Sequence, residues 1–217
     1  MSAALPDRPG SPPRGPAAVF WEAHYASKPP GTQGPNPILV EVASSLTPGS
    51  ALDLGCGGGG DAIWLAQHGW HVTAVDISST AVARAEDRVI AARLADKVRL
   101  ECLDLAVETP AGAFDLVNAH YLLSPVDFDR SAVLRRLAAQ INVGGTLLLV
   151  DHASVPPWSW ADPTTAFPSP PDTLRAIGLK LPNWRVVRTD AARRGAIGPD
   201  GRHASVTDTV IVITKES

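Results

Sequence analysis

Four consecutive glycines, Gly57 to Gly60, lie within the stretch ALDLGCGGGGDAIWLA at residues 51–66. A short apolar run typical of a β-strand precedes them and a helix-type pattern follows, so they connect a strand to a helix. A tight strand-to-helix turn needs one residue in the left-handed conformation, and a single glycine would provide it. We therefore predict a loop whose bare backbone lies directly against a ligand, close to the N-terminus of the helix.

Composition limits the partners of such a loop. The 217 residues are 45% hydrophobic, enough for one substantial core, and the net charge is -3. This balance gives no general attraction for nucleic acid or anionic membranes, so we expect a small-molecule partner, no nucleic acid, no membrane, and a monomer or homodimer. The two cysteines, Cys56 and Cys102, and the absence of a leader-like segment predict a cytoplasmic protein without disulfides. The arginine- and alanine-rich composition suggests a bacterial source.

Strand-type and helix-type segments alternate along most of the chain. The chain contains seven strand-type runs, which are SALDLG, HVTAVDI, KVRLECLDL, AFDLV, GGTLLLVDH, NWRVVRTDA and ASVTDTVIVITKE. Helix-type runs lie between most of the first five, which predicts a parallel sheet covered on both faces. The turn-rich RRGAIGPDGRH separates the last two, which predicts an antiparallel pair. The predicted fold class is thus α/β: a three-layer Rossmann-like sandwich with a mostly parallel seven-stranded sheet, its last strand antiparallel.

The N-terminal segments differ from this alternating body. Residues 1–19 are rich in Pro, Gly and Ser with few large apolar side chains, and we predict a disordered tail. Residues 20–36 combine the aromatic FWEAHY with a Pro/Gly-rich connector, which predicts a short helical turn and a lid. Residues 37–217 form a single predicted domain.

Two kinds of ligand fit the glycine loop. A dinucleotide site has an acidic residue about 20 positions after its first glycine, and Asp76 lies 21 residues after Gly55. Asp53 separates the two kinds, because it precedes Gly55 by two residues and would repel a pyrophosphate. A carboxylate there instead suits a cationic ligand that resembles an amino acid.

Five motifs in order, LDLGCGGGG, VDIS, CLDL, FDLVNAHYLL and INVGGTLLLVDH, resemble those of the class I S-adenosylmethionine-dependent methyltransferases over residues 37–152. One position departs from the family pattern: Val143 stands where proline is usual. The resemblance implies S-adenosylmethionine as the cofactor. It also implies cofactor-binding roles for a set of residues after the first four strands, namely Asp53, Gly55, Cys56, Gly57, Gly59, Asp76, Ile77, Asp104, Leu105 and Asn118.

The roles implied by the resemblance divide by strand. The first loop faces the methionine half of the cofactor, Asp76 accepts hydrogen bonds from both ribose hydroxyls, and Ile77 packs on adenine. Asp104 binds the adenine amino group and Leu105 covers the ring. Taken one at a time, such carboxylates could equally be helix caps or solvated loop residues.

The opening FWEAHYASKPP and the stretch ALDLGCGGGGDAIWLAQHGWHVTAVDIS are most similar to the small single-domain group that includes tellurite-resistance and thiopurine-type methyltransferases. That resemblance implies a small-molecule acceptor. It also implies that residues 20–37 cover the cofactor, with Trp21 and Tyr25 lining its site.

Methyl transfer from a sulfonium is an in-line displacement, so the protein mainly aligns the acceptor and excludes water. A base is needed only where the acceptor atom carries a proton, and the acceptor atom could be O, S or N. His120 is the first candidate for a base or orienting group, with Tyr121 beside it. Other residues expected near the acceptor, each of which could instead be structural, are His24, His152, Trp158 and Trp160.

NAHY at residues 118–121 lies where amino-methylating enzymes of nucleic acids carry an N-P-P-Y type motif, but both prolines are missing. Two other classes of function remain open: a nicotinamide-dependent reductase and a non-catalytic nucleotide-binding protein. Binding of NADH would favour the reductase, and cofactor binding without turnover would favour the non-catalytic protein. The Cys and His residues lack the spacing of metal ligands, so no metal site is predicted.

Overall fold

The computed structural model describes residues 15–31, 33–126, 128–159, 162, 164–179, 182–198 and 201–217. The helices are α1 (Gly15–Ala26), α2 (Pro37–Ala43), α3 (Gly60–Gln67), α4 (Ser79–Ala91), α5 (Arg130–Ala138) and α6 (Pro170–Ile177). The strands are β1 (Ser50–Leu54), β2 (His71–Asp76), β3 (Val98–Cys102), β4 (Phe114–His120), β5 (Ile141–His152), β6 (Trp184–Ile197) and β7 (His203–Lys215).

Within these residues the strands form one sheet in the order β3-β2-β1-β4-β5-β7-β6. The first five pair in parallel, and β7 lies antiparallel between β5 and β6. The predicted α/β fold, with its last strand antiparallel, is therefore confirmed. The strand order reverses direction between β1 and β4, and ligands of open α/β sheets bind outside the carboxyl ends of the strands at such a point.

Alternation along β1 shows how the three layers form. Ala51 belongs to an apolar cluster that contains residues of α2, α3 and α4, whereas Leu52 and Leu54 belong to a second cluster with residues of α5 and α6. Successive side chains of a strand point to opposite faces, so one strand supplies both cores. The sheet is thus buried between two helical layers, and only its strand ends are available for a site.

The N-terminal prediction is partly wrong. Helix α1 begins at Gly15, so residues 15–19 are helical although they were assigned to the disordered tail; residues 1–14 lie outside the described residues. The physical reason is tertiary contact, because α1 packs on α4 and buries Ala18, which is 2% exposed. The lid predicted for residues 20–36 therefore consists of the rest of α1 and a connector.

A carboxylate on α1 makes most of the polar contact with α4. Glu22 accepts hydrogen bonds from the Ser78 hydroxyl at 2.7 Å, from the Thr80 amide at 3.1 Å and from the hydroxyl of Thr80. Burial opposes ionisation of Glu22, but the hydrogen bonds from Thr80 and Ser78 outweigh it and lower its pKa. Helix α1 is therefore held at the N-terminus of α4, where the helix dipole favours negative charge.

The β6–β7 hairpin also differs from the prediction. RRGAIGPDGRH, predicted as a turn-rich separator, is largely strand, because β6 continues to Ile197 and β7 begins at His203. Arg194 pairs with Val206 in the ladder, and its guanidinium reaches Asp208 at 2.5 Å. Ladder pairing and the ion pair with the buried Asp208 thus extend β6 and β7 into a segment whose sequence predicts turns.

Replacing Glu22 by alanine should loosen α1. A carboxylate at a helix N-terminus contributes about 0.3–1 kcal/mol, so backbone amides of residues 15–26 should exchange roughly two- to fivefold faster by hydrogen–deuterium exchange mass spectrometry. Because the pKa of Glu22 is lowered on folding, its contribution is present at neutral pH and is lost as the pH falls through that lowered value. Glu86→Ala, an exposed site on α4, is the matched control. Unchanged exchange in Glu22→Ala would contradict this role.

Candidate functional site

A cavity of about 360 Å³ opens at the carboxyl ends of the central strands. Its walls come from the lid helix, from the ends of β1, β2 and β3, and from the segment after β4. The lining residues are Gly15, Pro16, Ala17, Trp21, Tyr25, Gly55, Asp76, Ile77, Leu103, Asp104, Leu105, Ala106, Tyr121, Leu122, Leu123, Ser124, Val126 and Phe128. Eight of the residues that the sequence singled out are among them.

The glycine loop has the backbone that its sequence requires. Gly55, Gly57 and Gly59 have φ values of +69°, +51° and +75°, in the left-handed region that side chains disfavour. Gly55 lines the cavity, and the Gly57 amide donates to the Asp76 carboxylate at 2.9 Å. Cys56, Gly57 and Gly59 do not line the cavity.

The chain's own lid lies close to the same glycines. A Cβ on Gly57 would stand 2.9 Å from the Tyr25 hydroxyl, and one on Gly60 would stand 2.7 Å from the carbonyl oxygen of Gly34. The sequence predicted that a ligand alone explains the missing side chains. The structure shows that packing of the N-terminal segment accounts for part of them.

Two loops after β2 and β3 carry carboxylates into the cavity wall. Asp76, 6% exposed, ends β2 and accepts hydrogen bonds from the amides of Gly57 and Ser78. Burial raises the pKa of Asp76 in spite of these bonds. Asp104 follows β3, with Ile77 and Leu105 supplying apolar wall beside the two acids.

Aromatic side chains of α1 form another part of the cavity wall. Trp21 and Tyr25 both line the cavity, and the Tyr25 hydroxyl lies over Gly57. Burial and the nearby Asp76 raise the pKa of Tyr25, so its phenol stays protonated and can donate a hydrogen bond. Arg84 donates to the Tyr25 carbonyl oxygen at 2.8 Å, which ties this end of α1 to α4.

Asp53 and Asn118 lie on the neighbouring strands β1 and β4, in register with each other. The Asn118 amide donates to Asp53 Oδ1 at 2.7 Å, and the other oxygen of each side chain, Asp53 Oδ2 and Asn118 Oδ1, is buried without a partner in the described residues. Burial and the charge of Asp61 raise the pKa of Asp53 well above its ordinary value. Neither side chain lines the cavity, and the Ala62 backbone N–H is also close enough to Asp53 to act against the rise in its pKa.

His120 ends β4 and is paired with Asp61, a residue that the sequence reading did not select. The His120 Nδ1 atom lies 2.6 Å from Asp61 Oδ2, and Nε2 is buried with no partner in the described part of the chain. Asp61 lies in the first turn of α3, directly after the glycine run. Its position directly after the glycine run, in GGGGD, could have predicted a site residue. A carboxylate at the start of that helix lies beside the ends of β1 and β4.

Tyr121 has a positive φ of +54° and lines the cavity, but its hydroxyl is engaged elsewhere. It donates to Asp208 at 2.9 Å and accepts from Arg194 at 3.0 Å, while its ring stacks on His152. Burial and Asp208 raise the pKa of Tyr121 to about 12. These contacts give Tyr121 a role in fixing the β6–β7 hairpin to the end of β4.

Four of the described residues predicted on the acceptor side do not line the cavity: His24, His120, His152 and Trp158. His24 lies on α1 among aromatic rings, and burial and Lys28 lower its pKa. The His152 ring stacks on the Tyr121 ring, and His152 Nδ1 lies 3.9 Å from Asp208 Oδ1. Trp158 is half-buried in the loop after β5. Trp160 lies outside the described residues.

The described residues contain neither a metal-type cluster nor a membrane-spanning helix. No group of three or more His, Cys, Asp or Glu side chains there is arranged to hold a metal ion. In the same part of the chain, no helix has both the length and the apolar character needed to cross a membrane.

Comparison with known proteins agrees with this geometry. Residues 52–147 match a family model described as a methyltransferase domain. A ubiquinone biosynthesis O-methyltransferase of Xanthomonas campestris pv. campestris is 33% identical over 132 residues, which are 60% of this chain and 54% of that protein. Ribosomal RNA small subunit methyltransferase C of Alcanivorax borkumensis is 32% identical over 123 residues, 53% of this chain and 36% of that protein. The chain thus matches about half or less of the length of these relatives.

Solved structures show the same fold at lower identity. A structure described as "Conversion of a Disulfide Bond into a Thioacetal Group during Echinomycin Biosynthesis" superposes with a TM-score of 0.70 at 23% identity, covering 92% of this chain and 91% of that one. TehB from Haemophilus influenzae gives a TM-score of 0.67 at 18% identity, covering 90% and 67%. The sheet order and the glycine loop agree with this fold and with the match of residues 52–147 to a methyltransferase domain.

Proposed function

We propose that this protein transfers a methyl group from S-adenosylmethionine to a small-molecule acceptor. The observation that carries the proposal is the cavity in which Asp76 and Asp104 flank the apolar side chains Ile77 and Leu105 beside Gly55. Carboxylates at the ends of two adjacent strands can accept hydrogen bonds from the ribose hydroxyls and the amino group of an adenosine. The apolar side chains beside them can pack on its flat base.

The adenosine end would be held by the β2 and β3 loops. A carboxylate can accept hydrogen bonds from both hydroxyls of a ribose, and Asp76 is fixed for this by the amides of Gly57 and Ser78. Ile77 and Leu105 would cover the base, and Asp104 would accept from its amino group. The lid residues Trp21 and Tyr25 would close the site from the other side.

The methionine end would be held at the β1 and β4 ends. Asp53 Oδ2 and Asn118 Oδ1 are buried acceptors without partners in the described residues, and an ammonium group supplies the donors that they need. The same carboxylate would repel the pyrophosphate of a nicotinamide dinucleotide. This contrast supports the methyltransferase over the reductase.

The cofactor would supply an electrophilic methyl group on a positively charged sulfur. The protein's own residues then orient the acceptor and exclude water from it. Leu122, Leu123, Val126 and Phe128 give the cavity a largely apolar wall after β4, which suits an apolar or aromatic small molecule. The O-methyltransferase relative named for ubiquinone biosynthesis is consistent with such an acceptor.

An RNA acceptor is the second candidate, because one relative is named as a ribosomal RNA methyltransferase. RNA binding relies on basic residues that neutralise phosphates. This chain has a net charge of -3, and it matches only 36% of that relative's length. The small-molecule acceptor is therefore the stronger proposal.

Ligand binding should separate methyltransferase from reductase. S-adenosylhomocysteine and S-adenosylmethionine should raise the thermal unfolding midpoint, since a ligand at 100 times its Kd stabilises the native state by about 2.7 kcal/mol. NADH should give no rise. Asp76→Asn and Asp104→Ala should reduce the shift, whereas Asp87→Asn, an exposed carboxylate on α4, should keep it. A shift with NADH alone would overturn the proposal.

Turnover should identify the acceptor class. With S-adenosylmethionine present, formation of S-adenosylhomocysteine should be detected by mass spectrometry with panels of small phenols, thiols and heteroaromatic amines. Deproteinised ribosomal RNA should give no methylation above background. Methylation of RNA and of no small molecule would reverse the order of the two candidates.

Replacing Asp53 by asparagine should stabilise the ligand-free protein. Because burial raises the pKa of Asp53, the folded state binds a proton more tightly than the unfolded chain, and stability falls as pH rises from the ordinary carboxyl pKa toward the raised one. Asp53→Asn removes this titration, so its unfolding midpoint should exceed that of the wild type at pH 8 by more than at pH 5. Affinity for S-adenosylhomocysteine should fall about 10- to 100-fold with the lost charge-assisted hydrogen bond.

Asp115→Asn is the contrasting control. For both variants, isothermal titration calorimetry measures the affinity for S-adenosylhomocysteine and thermal scans measure stability. Hydrogen bonds from Ser50 and Asn142 lower the pKa of Asp115, so its charge stabilises the folded state. This variant should be less stable than the wild type and should bind S-adenosylhomocysteine normally. A loss of stability in Asp53→Asn at pH 8 would contradict the assignment of Asp53 as a strained ligand carboxylate.

A further inference from the structure

We propose that Asp61 is a positioning residue that holds His120 as a general base for an acceptor that carries a proton, and that docking of residues 33–36 on Asp61 assembles this pair. The proposal rests on the methyltransferase function above. It specifies the acceptor class as a hydroxyl or a protonated amine.

The hydrogen-bond geometry fixes the tautomer of His120. An ionised carboxylate can only accept, so the 2.6 Å contact between His120 Nδ1 and Asp61 Oδ2 makes Nδ1 the donor. In neutral imidazole the other nitrogen then carries the lone pair, and Nε2 is the acceptor. His120 is 6% exposed, and its Nε2 atom has no partner among the described residues.

His120 does not itself line the cavity, but it lies directly beside a residue that does. His120 is the last residue of β4, at the reversal of strand order beside β1, and the next residue, Tyr121, lines the cavity. Asp61 and Asp151 both lie close enough for their charges to act on the imidazole.

The step balances without a further reactant. His120 Nε2 takes the proton from the acceptor O–H or N–H, and a lone pair on that oxygen or nitrogen forms the new bond to the methyl carbon. The electrons of the broken carbon–sulfur bond return to sulfur, which leaves a neutral thioether. Asp61 keeps the hydrogen bond to Nδ1 throughout.

The second oxygen of Asp61 connects the pair to the N-terminal segment. Asp61 Oδ1 accepts the backbone N–H of Asn36 at 2.6 Å. The same segment lies against the start of α3, where the carbonyl oxygens of Gln33 and Gly34 would stand 2.8 and 2.7 Å from a Cβ on Gly60. Arg88 donates to the carbonyl oxygens of Gln33 and of Gly58, which joins this segment to the glycine loop. The Asp61 carboxylate is thus fully engaged when the segment is docked.

Nitrogen-15 NMR of labelled histidine reports the tautomer directly and needs no acceptor. In the complex with S-adenosylhomocysteine, His120 should show the Nδ1–H tautomer, with its signal assigned by loss in His120→Gln. Asp61→Asn should give a mixture of tautomers, Asp61→Glu should restore most of the Nδ1–H form, and Asp87→Asn should match the wild type. An Nε2–H tautomer in the wild type, or a signal unaffected by Asp61→Asn, would overturn the proposal.

The coupling to the N-terminal segment has its own test. Gly60→Ala places a methyl group against the Gln33 and Gly34 carbonyls without a φ conflict, so it should displace the segment and loosen the tautomer preference of His120. Gly31→Ala, in the same connector but with nothing within 4 Å of the new Cβ, is the control. An unchanged His120 signal in Gly60→Ala would remove the coupling from the proposal.

Kinetics with the same variants tests the catalytic consequence. With phenols as probes and S-adenosylmethionine at saturating concentration, Asp61→Asn should lower kcat about 100-fold or more, in line with general-base catalysis. An unchanged kcat would refute the base. Isothermal titration with S-adenosylhomocysteine separates the two proposals: absence of binding by the wild type would defeat the methyltransferase function, whereas binding together with the wrong His120 tautomer would defeat only the assignment of Asp61.

Discussion

The hydrogen bond from the Gly57 amide to the Asp76 carboxylate joins the two loops on which the site depends. It requires a left-handed residue at Gly57, and it fixes a buried acid at the end of β2. Because the Ser78 amide binds the other oxygen, Asp76 is held from two sides at the cavity wall. The glycine loop therefore both makes room at the strand ends and orients the acid beside that room.

Buried carboxylates are concentrated where β1, β2 and α3 meet. Burial raises the pKa values of Asp53 and Asp76, and the charge of Asp61 adds to the effect on Asp53. Repulsion between buried carboxylates destabilises the folded state. Groups whose pKa values are perturbed in this way are typical of functional sites. A cationic ligand would relieve it, which links the electrostatics of the site to the chemistry of a sulfonium cofactor.

The N-terminal segment completes the site through polar contacts at separate points. Glu22 holds α1 to the start of α4, Arg84 holds the end of α1, and Asn36 reaches Asp61. Each contact joins residues that are 25 or more positions apart in the sequence. The position of the segment is thus set by contacts with α3 and α4.

The sequence by itself determined the α/β fold, the glycine loop and the strand-end residues Asp76, Ile77, Asp104 and Leu105, because periodicity, glycine spacing and strand ends are local properties of the chain. It did not determine that Gly15 begins a helix or that β6 and β7 extend into RRGAIGPDGRH, since contacts with α4 and Asp208 override weak local preferences there. Only the tertiary structure paired Asp61 with His120 and turned the Tyr121 hydroxyl toward Asp208. Such pairings depend on which strand ends are adjacent and on the side-chain rotamers, and spacing along a single chain records neither.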